Sequence, residues 1–257
     1  MHYFIDTHAH IYHEDFKVDW PDMLQRCREA KVNQVYMPNV DHESIDGMLE
    51  LESRSEGMCH AMMGLHPCSV KRGFERELYI VENWLARREF AAVGEIGTDL
   101  YWDKTLFEEQ KEAFSIQVNW AKQYKLPVVI HCRESIDETI ALVEQAKDEY
   151  LRGIFHCFTG DAAQAKRIIE LGFLLGIGGV ATFKNGGLDK VLPEISLEHL
   201  VLETDAPYLA PVPFRGKRNL PEYIIKVAEK ISEIKKVSVE IVAEITTNNS
   251  KIIFDKY

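Results

Sequence analysis

Histidine and carboxylate side chains recur in this chain directly after short apolar segments, and these are the side chains that bind divalent metal ions. The N-terminal segment FIDTHAH spaces Asp6, His8 and His10 two residues apart, and alternate residues of a β-strand point to one face. Five later segments end in the same residue types: GLHP with His66, GEIGTD with Glu95 and Asp99, IHCRES with His131, FHCFTG with His156, and LETDAPY with Glu203 and Asp205. These residue types indicate a metal site assembled from several segments.

The apolar segments have the length and composition of buried β-strands. Amphipathic segments at 107–125, 135–150, 220–236 and 238–253 are predicted as helices. Eight strands alternating with helices predict an α/β fold, a single-domain (β/α)8 TIM barrel over residues 1–257. A doubly wound open sheet has the same alternation and is the alternative. The strands are predicted at about 3–7, 33–38, 59–65, 91–96, 127–131, 153–157, 173–177 and 200–204.

Two helix boundaries carry local signals. Ser135 with Glu138 three residues later is a capping-box pattern that predicts a helix start. Asp161 is a second predicted N-cap, and Gly172 is the predicted stop of the helix that follows it.

The position of the polar residues favours a metal site over chance. In a barrel the C-terminal ends of the strands converge on one face, where active sites form. Four histidines and two carboxylates meeting there supply ligands for two divalent ions. A single histidine at a strand end is more often a hydrogen-bonded structural residue than a metal ligand, so the prediction depends on the joint arrangement.

Composition limits the function classes. The formal charge is −11, with 30 Lys and Arg against 41 Asp and Glu, which argues against a broad basic surface for coating nucleic acid. A nucleic-acid substrate stays open, since bound divalent ions and a few arginines make a local positive site. The five cysteines form no CxxC pair, which is typical of reduced thiols and a cytoplasmic location. No apolar run predicts a membrane span and no signal peptide is recognised. No membrane association and no obligate protein partner are predicted.

The motifs THAH, GEIGTDLYW, IHCRES, FHCFTG and LETDAPYLAP, followed by RGKRNLP, resemble in this order the TatD family of metal-dependent hydrolases. The resemblance extends from residue 4 to about residue 221. It implies a (β/α)8 barrel and a divalent-metal nuclease that acts on DNA, as single strands or at 3′ ends. It also implies two bound divalent ions, with Mg²⁺, Mn²⁺ and Zn²⁺ as the candidates.

The resemblance assigns the metal ligands residue by residue. His8 and His10 match the ligands of the first ion, and Glu95 matches the carboxylate that bridges the two ions. His131 and His156 match the ligands of the second ion, and Asp205 matches the aspartate of the eighth strand.

Roles in catalysis follow as hypotheses. Asp205 would bind one ion and take the proton from the attacking water, and Glu203 would orient a ligand or a water, unless it is a solvated carboxylate beside the site. His66 would donate to the phosphate or the leaving group, unless it only shapes the GLHP segment. Asp6 is predicted to support the histidines from behind.

Substrate contacts are predicted for Arg133, Arg218 and Asn219. A basic loop such as the one holding Arg218 is also typical of a solvated face. Three aromatic residues are candidates for stacking on an unpaired base, with core packing as the alternative for each: Phe158, Tyr208 and Phe214.

Two other function classes stay open. The same metal centre would also hydrolyse an amide, ester or lactone in a small molecule, since related barrels do so with similar ligands. A non-catalytic binding or scaffold protein is the third hypothesis, and the complete set of six ligands argues against it.

Overall fold

The computed structural model describes residues 3–255. Along this range β-strands alternate with α-helices from end to end. The strands are β1 Phe4–Asp6, β2 Val32–Pro38, β3 Cys59–Met62, β4 Val93–Asp99, β5 Val128–Arg133, β6 Gly153–Phe155, β7 Leu174–Ile177 and β8 Leu200–Leu202. The helices are α1 Trp20–Glu29, α2 Ile45–Arg54, α3 Glu75–Arg87, α4 Phe107–Tyr124, α5 Ile136–Ala146, α6 Ala162–Glu170, α7 Leu188–Val191, α8 Ile224–Lys235 and α9 Val239–Phe254.

All neighbouring strands are parallel, and they close into a barrel. Strands β1 to β3 form one hydrogen-bonded run and β4 to β8 form another, each in chain order. Met63 pairs with Val93 across the first seam. Across the second seam, the backbone N–H and the hydroxyl of Thr7 both donate to the carbonyl oxygen of Leu202, at 3.0 Å each. The predicted (β/α)8 barrel is confirmed, and the open-sheet alternative is wrong.

The barrel interior is filled below the strand ends. A layer of inward-facing side chains from successive strands excludes water there, and the C-terminal end of α9 covers it from below, where the ring of Phe254 stacks on that of Tyr36 with centroids 3.7 Å apart. The barrel interior is therefore closed from below and opens towards the C-terminal face. The layer includes Ile5, Tyr36, Met62, Ala92, Val129, Ile154 and Val201.

Several strands end earlier than predicted. The first ends at Asp6, so His8 and His10 lie beyond it and not on its face as the alternation predicts. The backbone leaves the ladder there because it pairs with the segment after β8: His10 N donates to Ala206 O at 2.7 Å, and Asp205 N donates to His8 O at 2.8 Å. The β4 strand instead runs on to Asp99.

The two predicted caps differ in outcome. At α6 the Asp161 side chain accepts from Gln164 N, and the Gln164 side chain accepts from Asp161 N, so this N-cap is confirmed, as is the stop at Gly172, whose φ is +77°. At α5 the predicted helix start is confirmed, since Ser135 occupies the N-cap position before Ile136, but the capping box is not formed: the Ser135 hydroxyl donates to the Thr98 carbonyl oxygen at 2.9 Å and makes no capping hydrogen bond. Among residues 3–255, no helix combines the length and apolarity that crossing a membrane requires.

Candidate metal centre

Glu95 lies at the middle of the open face, with the other predicted ligands around it. Its side chain is 1% exposed. The Oε2 atom lies 3.1 Å from His8 Nε2 and 3.4 Å from His10 Nε2. The Oε1 atom lies 2.9 Å from His131 Nδ1 and 2.8 Å from His156 Nε2. Each oxygen of one buried carboxylate therefore faces its own pair of histidines.

The spacing of these atoms fits divalent ions. Ligands at about 2.0–2.2 Å from a tetrahedral ion are about 3.3–3.6 Å from one another. His8 Nε2 and His10 Nε2 are 3.3 Å apart, and His131 Nδ1 and His156 Nε2 are 3.4 Å apart. The Oε2 atom of Glu95 is buried and accepts no hydrogen bond from any residue in 3–255. An uncompensated carboxylate oxygen beside two imidazole nitrogens is the environment that a cation would complete.

Asp205 completes the group on the His8 side. Its Oδ1 lies 3.8 Å from His8 Nε2 and 3.7 Å from His10 Nε2, and its side chain is 13% exposed. The residue has φ = +58°, a left-handed conformation in which non-glycine residues are uncommon. Burial raises the pKa of Asp205 to about 6.

The protonation states of His8 and Glu95 are set by burial and by the neighbouring side chains. Burial and the neighbouring His156 lower the pKa of His8 well below its ordinary value, so this ring is neutral and keeps a lone pair for an ion. Burial alone would raise the pKa of Glu95, but the neighbouring His156, whose own pKa is raised well above its ordinary value, outweighs it and holds the pKa of Glu95 well below the usual range. Glu95 is therefore a charged carboxylate despite its burial.

Tyr12 fixes the ring of His10 and was not predicted. Its hydroxyl donates to Pro38 O at 2.6 Å and lies 3.1 Å from His10 Nδ1. Since the hydroxyl proton is given to Pro38, the second contact has His10 Nδ1–H as its donor. The Nε2 lone pair of His10 then points at Glu95. The spacing His8, His10, Tyr12 is the signal by which the sequence could have shown this residue.

Asp99 fixes the ring of His131, as Tyr12 fixes that of His10. Its Oδ2 accepts from His131 Nε2 at 2.9 Å, which leaves Nδ1 to face Glu95. Burial alone would lower the pKa of His131, but its hydrogen bonds to Asp99 and Glu95 raise it. A metal ion binding at Nδ1 would therefore displace a proton. Asp99 stands out in GEIGTD, but its role could not be assigned from the sequence.

Glu203 lies behind His156, on the side away from the open face. It is completely buried, its Oε1 accepts from Cys157 N at 2.6 Å, and the same oxygen lies 3.5 Å from His156 Nδ1. A Cβ at Gly176 would be 2.2 Å from Glu203 Oε2, so only glycine leaves room for this carboxylate. The alternative of a solvated carboxylate is wrong, and the position suits a residue that orients His156.

Asp6 acts on the backbone and not on the histidine rings. Its Oδ1 accepts from His8 N at 3.2 Å and from Thr204 N at 3.0 Å, and its Oδ2 accepts from the Thr204 hydroxyl at 2.5 Å. Burial raises the pKa of Asp6 to about 8. One carboxylate thereby ties the segment that carries His8 to the segment that carries Asp205.

His66 contacts Glu95 as a donor. Its Nε2 lies 3.4 Å from Glu95 Oε1, close enough to share an ion with Glu95 and His131 by distance alone. Its Nδ1, however, accepts a hydrogen bond from Cys68 N at 3.0 Å. Burial lowers the pKa of His66, so the ring is neutral and carries its proton on Nε2. That proton makes His66 a hydrogen-bond donor and not a third histidine ligand.

Two predicted substrate contacts are instead structural. Asn219 is completely buried, and its amide donates to Thr204 O at 2.6 Å and Tyr208 O at 2.7 Å. The fork of Arg218 is occupied by Asp19, with Nη2 and Oδ2 2.6 Å apart. The prediction that Asn219 binds substrate is wrong because both of its amide donors are used internally, and Arg218 would have to break its ion pair to reach a phosphate.

Arg133 differs from Arg218 in being exposed and available. Among residues 3–255 no carboxylate oxygen lies within 4 Å of its guanidinium, which instead lies 3.6 Å from the centre of the Tyr101 ring. It follows His131 by two residues on the open face. Its predicted contact with a phosphate is compatible with this position and stays a prediction.

The three stacking candidates separate by exposure. Phe158 is 2% exposed and belongs to the core, and Phe214 stacks on Tyr223 with centroids 3.9 Å apart. Tyr208 is half exposed and its ring centroid is 6.0 Å from that of His10. Of the three, only Tyr208 is both open and close to the histidine cluster.

A separate cavity of about 890 Å³ lies away from the cluster. It is lined by Tyr3, Glu198 and Lys251 among others. Tyr3 precedes β1 and Glu198 precedes β8, so the cavity is at the N-terminal end of the barrel, beyond the apolar layer.

Known proteins resemble this chain over nearly its full length. The sequence model of the family described as "TatD related DNase" matches residues 5–255. The metal-dependent hydrolase YabD of Bacillus subtilis is 37% identical over 250 residues, which are 97% of this chain and 98% of that protein. The crystal structure of YjjV, a TatD homolog from Escherichia coli K12, matches with a TM-score of 0.93 and 31% identity, over 99% of this chain and 98% of that one. A TatD family hydrolase from Entamoeba histolytica has the same fold, with a TM-score of 0.85 and 22% identity over 98% of both chains.

Proposed function

This chain belongs to the family of TatD-related DNases and is a metal-dependent hydrolase, and we propose that it hydrolyses phosphodiester bonds of DNA at 3′ ends with two divalent ions bound. The observation that carries the proposal is the position of Glu95, whose two oxygens face two separate pairs of histidines. His8, His10 and Asp205 would hold the first ion with Glu95, and His131 and His156 would hold the second.

Two divalent ions at such a site activate water and offset the charge of the phosphate when bound. Asp205 is the partly exposed carboxylate at the edge of the cluster. It takes a proton from the attacking water while the oxygen of that water forms its bond to phosphorus. The bond from phosphorus to the 3′-oxygen breaks, and that oxygen takes a proton from solvent. The products are a 3′-hydroxyl and a 5′-phosphate.

Two further side chains contact the substrate in this scheme. His66, whose proton is on Nε2, donates a hydrogen bond to a phosphate oxygen or to the departing 3′-oxygen, where negative charge develops. Arg133 supplies a guanidinium without a carboxylate partner among residues 3–255. A few cations in a chain with a charge of −11 suit a site that engages few phosphates, so the affinity for DNA should depend weakly on salt.

We also propose a cytoplasmic location. The five cysteines are all free thiols, which supports a reducing compartment.

The test is a nuclease assay with 3′-labelled oligonucleotides, single-stranded, nicked and abasic, in Mg²⁺, Mn²⁺ or Zn²⁺. Release of labelled nucleotide that EDTA and His131→Ala abolish is expected. His42→Ala is the matched control, because His42 pairs with Glu77 at the surface, 2.7 Å away, and should leave the rate unchanged. Hydrolysis of an amide, ester or lactone without nucleotide release in any metal would replace the proposal with the amidohydrolase alternative.

A further inference from the structure

The loop after β4 presents two aromatic side chains to solvent on the open face of the barrel. Tyr101 is 50% exposed and Trp102 is 70% exposed. Their rings are perpendicular, with centroids 4.9 Å apart. Adjacent exposed aromatic side chains form a contiguous apolar patch, which is typical of a binding surface, and this patch follows the strand that carries Glu95.

This loop is attached to the metal centre through Asp99. The Oδ1 atom of Asp99 accepts from Tyr101 N at 2.9 Å and from Trp102 N at 3.1 Å. Its other oxygen accepts from His131 Nε2 at 2.9 Å. One carboxylate thus holds the aromatic loop and a ligand histidine in fixed relation.

Arg133 adds a cation to the same surface. Its guanidinium lies 3.6 Å from the centre of the Tyr101 ring and 5.6 Å from that of Trp102. The backbone of β5 fixes it there, since Leu100 N donates to Arg133 O at 2.9 Å. Arg218, in contrast, is paired with a carboxylate, because both of its terminal nitrogens donate to Asp19.

We propose that Tyr101, Trp102 and Arg133 form a nucleobase-binding platform for the nucleotide next to the bond that is hydrolysed. The proposal rests on the proposed function, and it names the subsite on the His131 side of the centre. A base would stack on Trp102, and its phosphate would contact Arg133. Stacking on an aromatic ring needs a base whose face is free and tolerates any sequence, so the platform selects unpaired nucleotides without reading their identity.

The test compares two fluorescein-labelled probes with the same number of phosphates: (dT)8 and an eight-unit abasic oligomer. Binding is measured by fluorescence anisotropy in EDTA, where no hydrolysis occurs. Trp102→Ala and Tyr101→Ala should each weaken binding of (dT)8 about 5- to 150-fold, the range that base–aromatic stacking supplies. The affinity of both variants for the abasic probe should equal that of the wild type. Trp102→Phe should retain most of the affinity, and Arg133→Ala should weaken both probes.

Tyr150→Ala is the matched control, because Tyr150 is 52% exposed but lies between α5 and β6, at the opposite end of the barrel. In the cleavage assay the platform variants should raise KM with kcat nearly unchanged. The platform is overturned if the wild type, Trp102→Ala and Tyr101→Ala bind (dT)8 with equal affinity. It is also overturned if none of the three proteins binds (dT)8. Binding that depends on Trp102 without cleavage in any metal supports the platform and overturns the nuclease proposal, so the two failures are distinguishable.

Discussion

Replacement of Tyr12 by Phe tests whether the histidines around Glu95 form two separate metal sites. The Tyr12 hydroxyl sits between Pro38 O, 2.6 Å away, and His10 Nδ1, 3.1 Å away. Burial raises the pKa of Tyr12 well above its usual value, so the hydroxyl keeps its proton. Phenylalanine preserves the ring and removes only the group that holds the proton of His10 on Nδ1.

The expected effect can be worked out from these contacts. Loss of the outer partner of a ligating histidine weakens metal binding about 10- to 100-fold, which is about 1.4–2.7 kcal/mol. Only the ion held by His8 and His10 should be affected. The His131 ring keeps its own outer partner, Asp99, 2.9 Å from Nε2, so the second ion should bind as in the wild type.

The assay is a titration of metal-free protein with Zn²⁺ or Mn²⁺ against a chromophoric chelator, fitted to two sites. Asp99→Asn is the mirror variant and should weaken the other ion. Thermal unfolding of the metal-free proteins checks that Tyr12→Phe costs only about 1 kcal/mol, the value of one hydrogen bond. If Tyr12→Phe weakens both ions equally, or neither, the assignment of two sites with separate outer partners is refuted.

Four further outcomes are expected. Asp205→Asn should lower kcat at least about 100-fold at saturating metal, because an amide cannot take the proton of water; wild-type turnover by a variant that still binds metal would contradict this role. Glu95→Ala should lose metal stoichiometry as well as rate, and two ions bound at full affinity by metal analysis would exclude the bridge. Asn219→Ala should lower the free energy of unfolding in urea by about 2–4 kcal/mol, because the carbonyls of Thr204 and Tyr208 lose their donor. Arg218 lowers the pKa of Asp19, so the small stability loss of Asp19→Asn should be present at pH 7 and disappear as the pH falls below about 4; a loss that persists in acid would show that the pairing is not its cause.

The sequence predicted the barrel and the cluster for the same reason. Buried parallel strands are read as apolar runs, and their C-terminal ends meet on one face, so a histidine or carboxylate at such an end is placed without knowledge of the tertiary contacts. The outer partners depend on contacts that sequence spacing does not show. Tyr12 fixes His10 only because Pro38, 26 residues away, takes its proton. Arg218 reads as a free cation until the fold brings Asp19 to it from 199 residues away.

The metal cluster and the closure of the barrel depend on the same contacts. His8 and Asp205 belong to opposite ends of the chain, and they share one ion only if the segments after β1 and β8 keep their register. Asp6 fixes that register through three hydrogen bonds, one to His8 N and two to Thr204. Because the Asp205 N–H also donates to His8 O at 2.8 Å, a slip of one segment against the other would separate the carboxylate from the two histidines. Asp6 contacts neither the proposed ions nor the substrate, yet the distance between the first ligands depends on it as directly as on the ligands themselves.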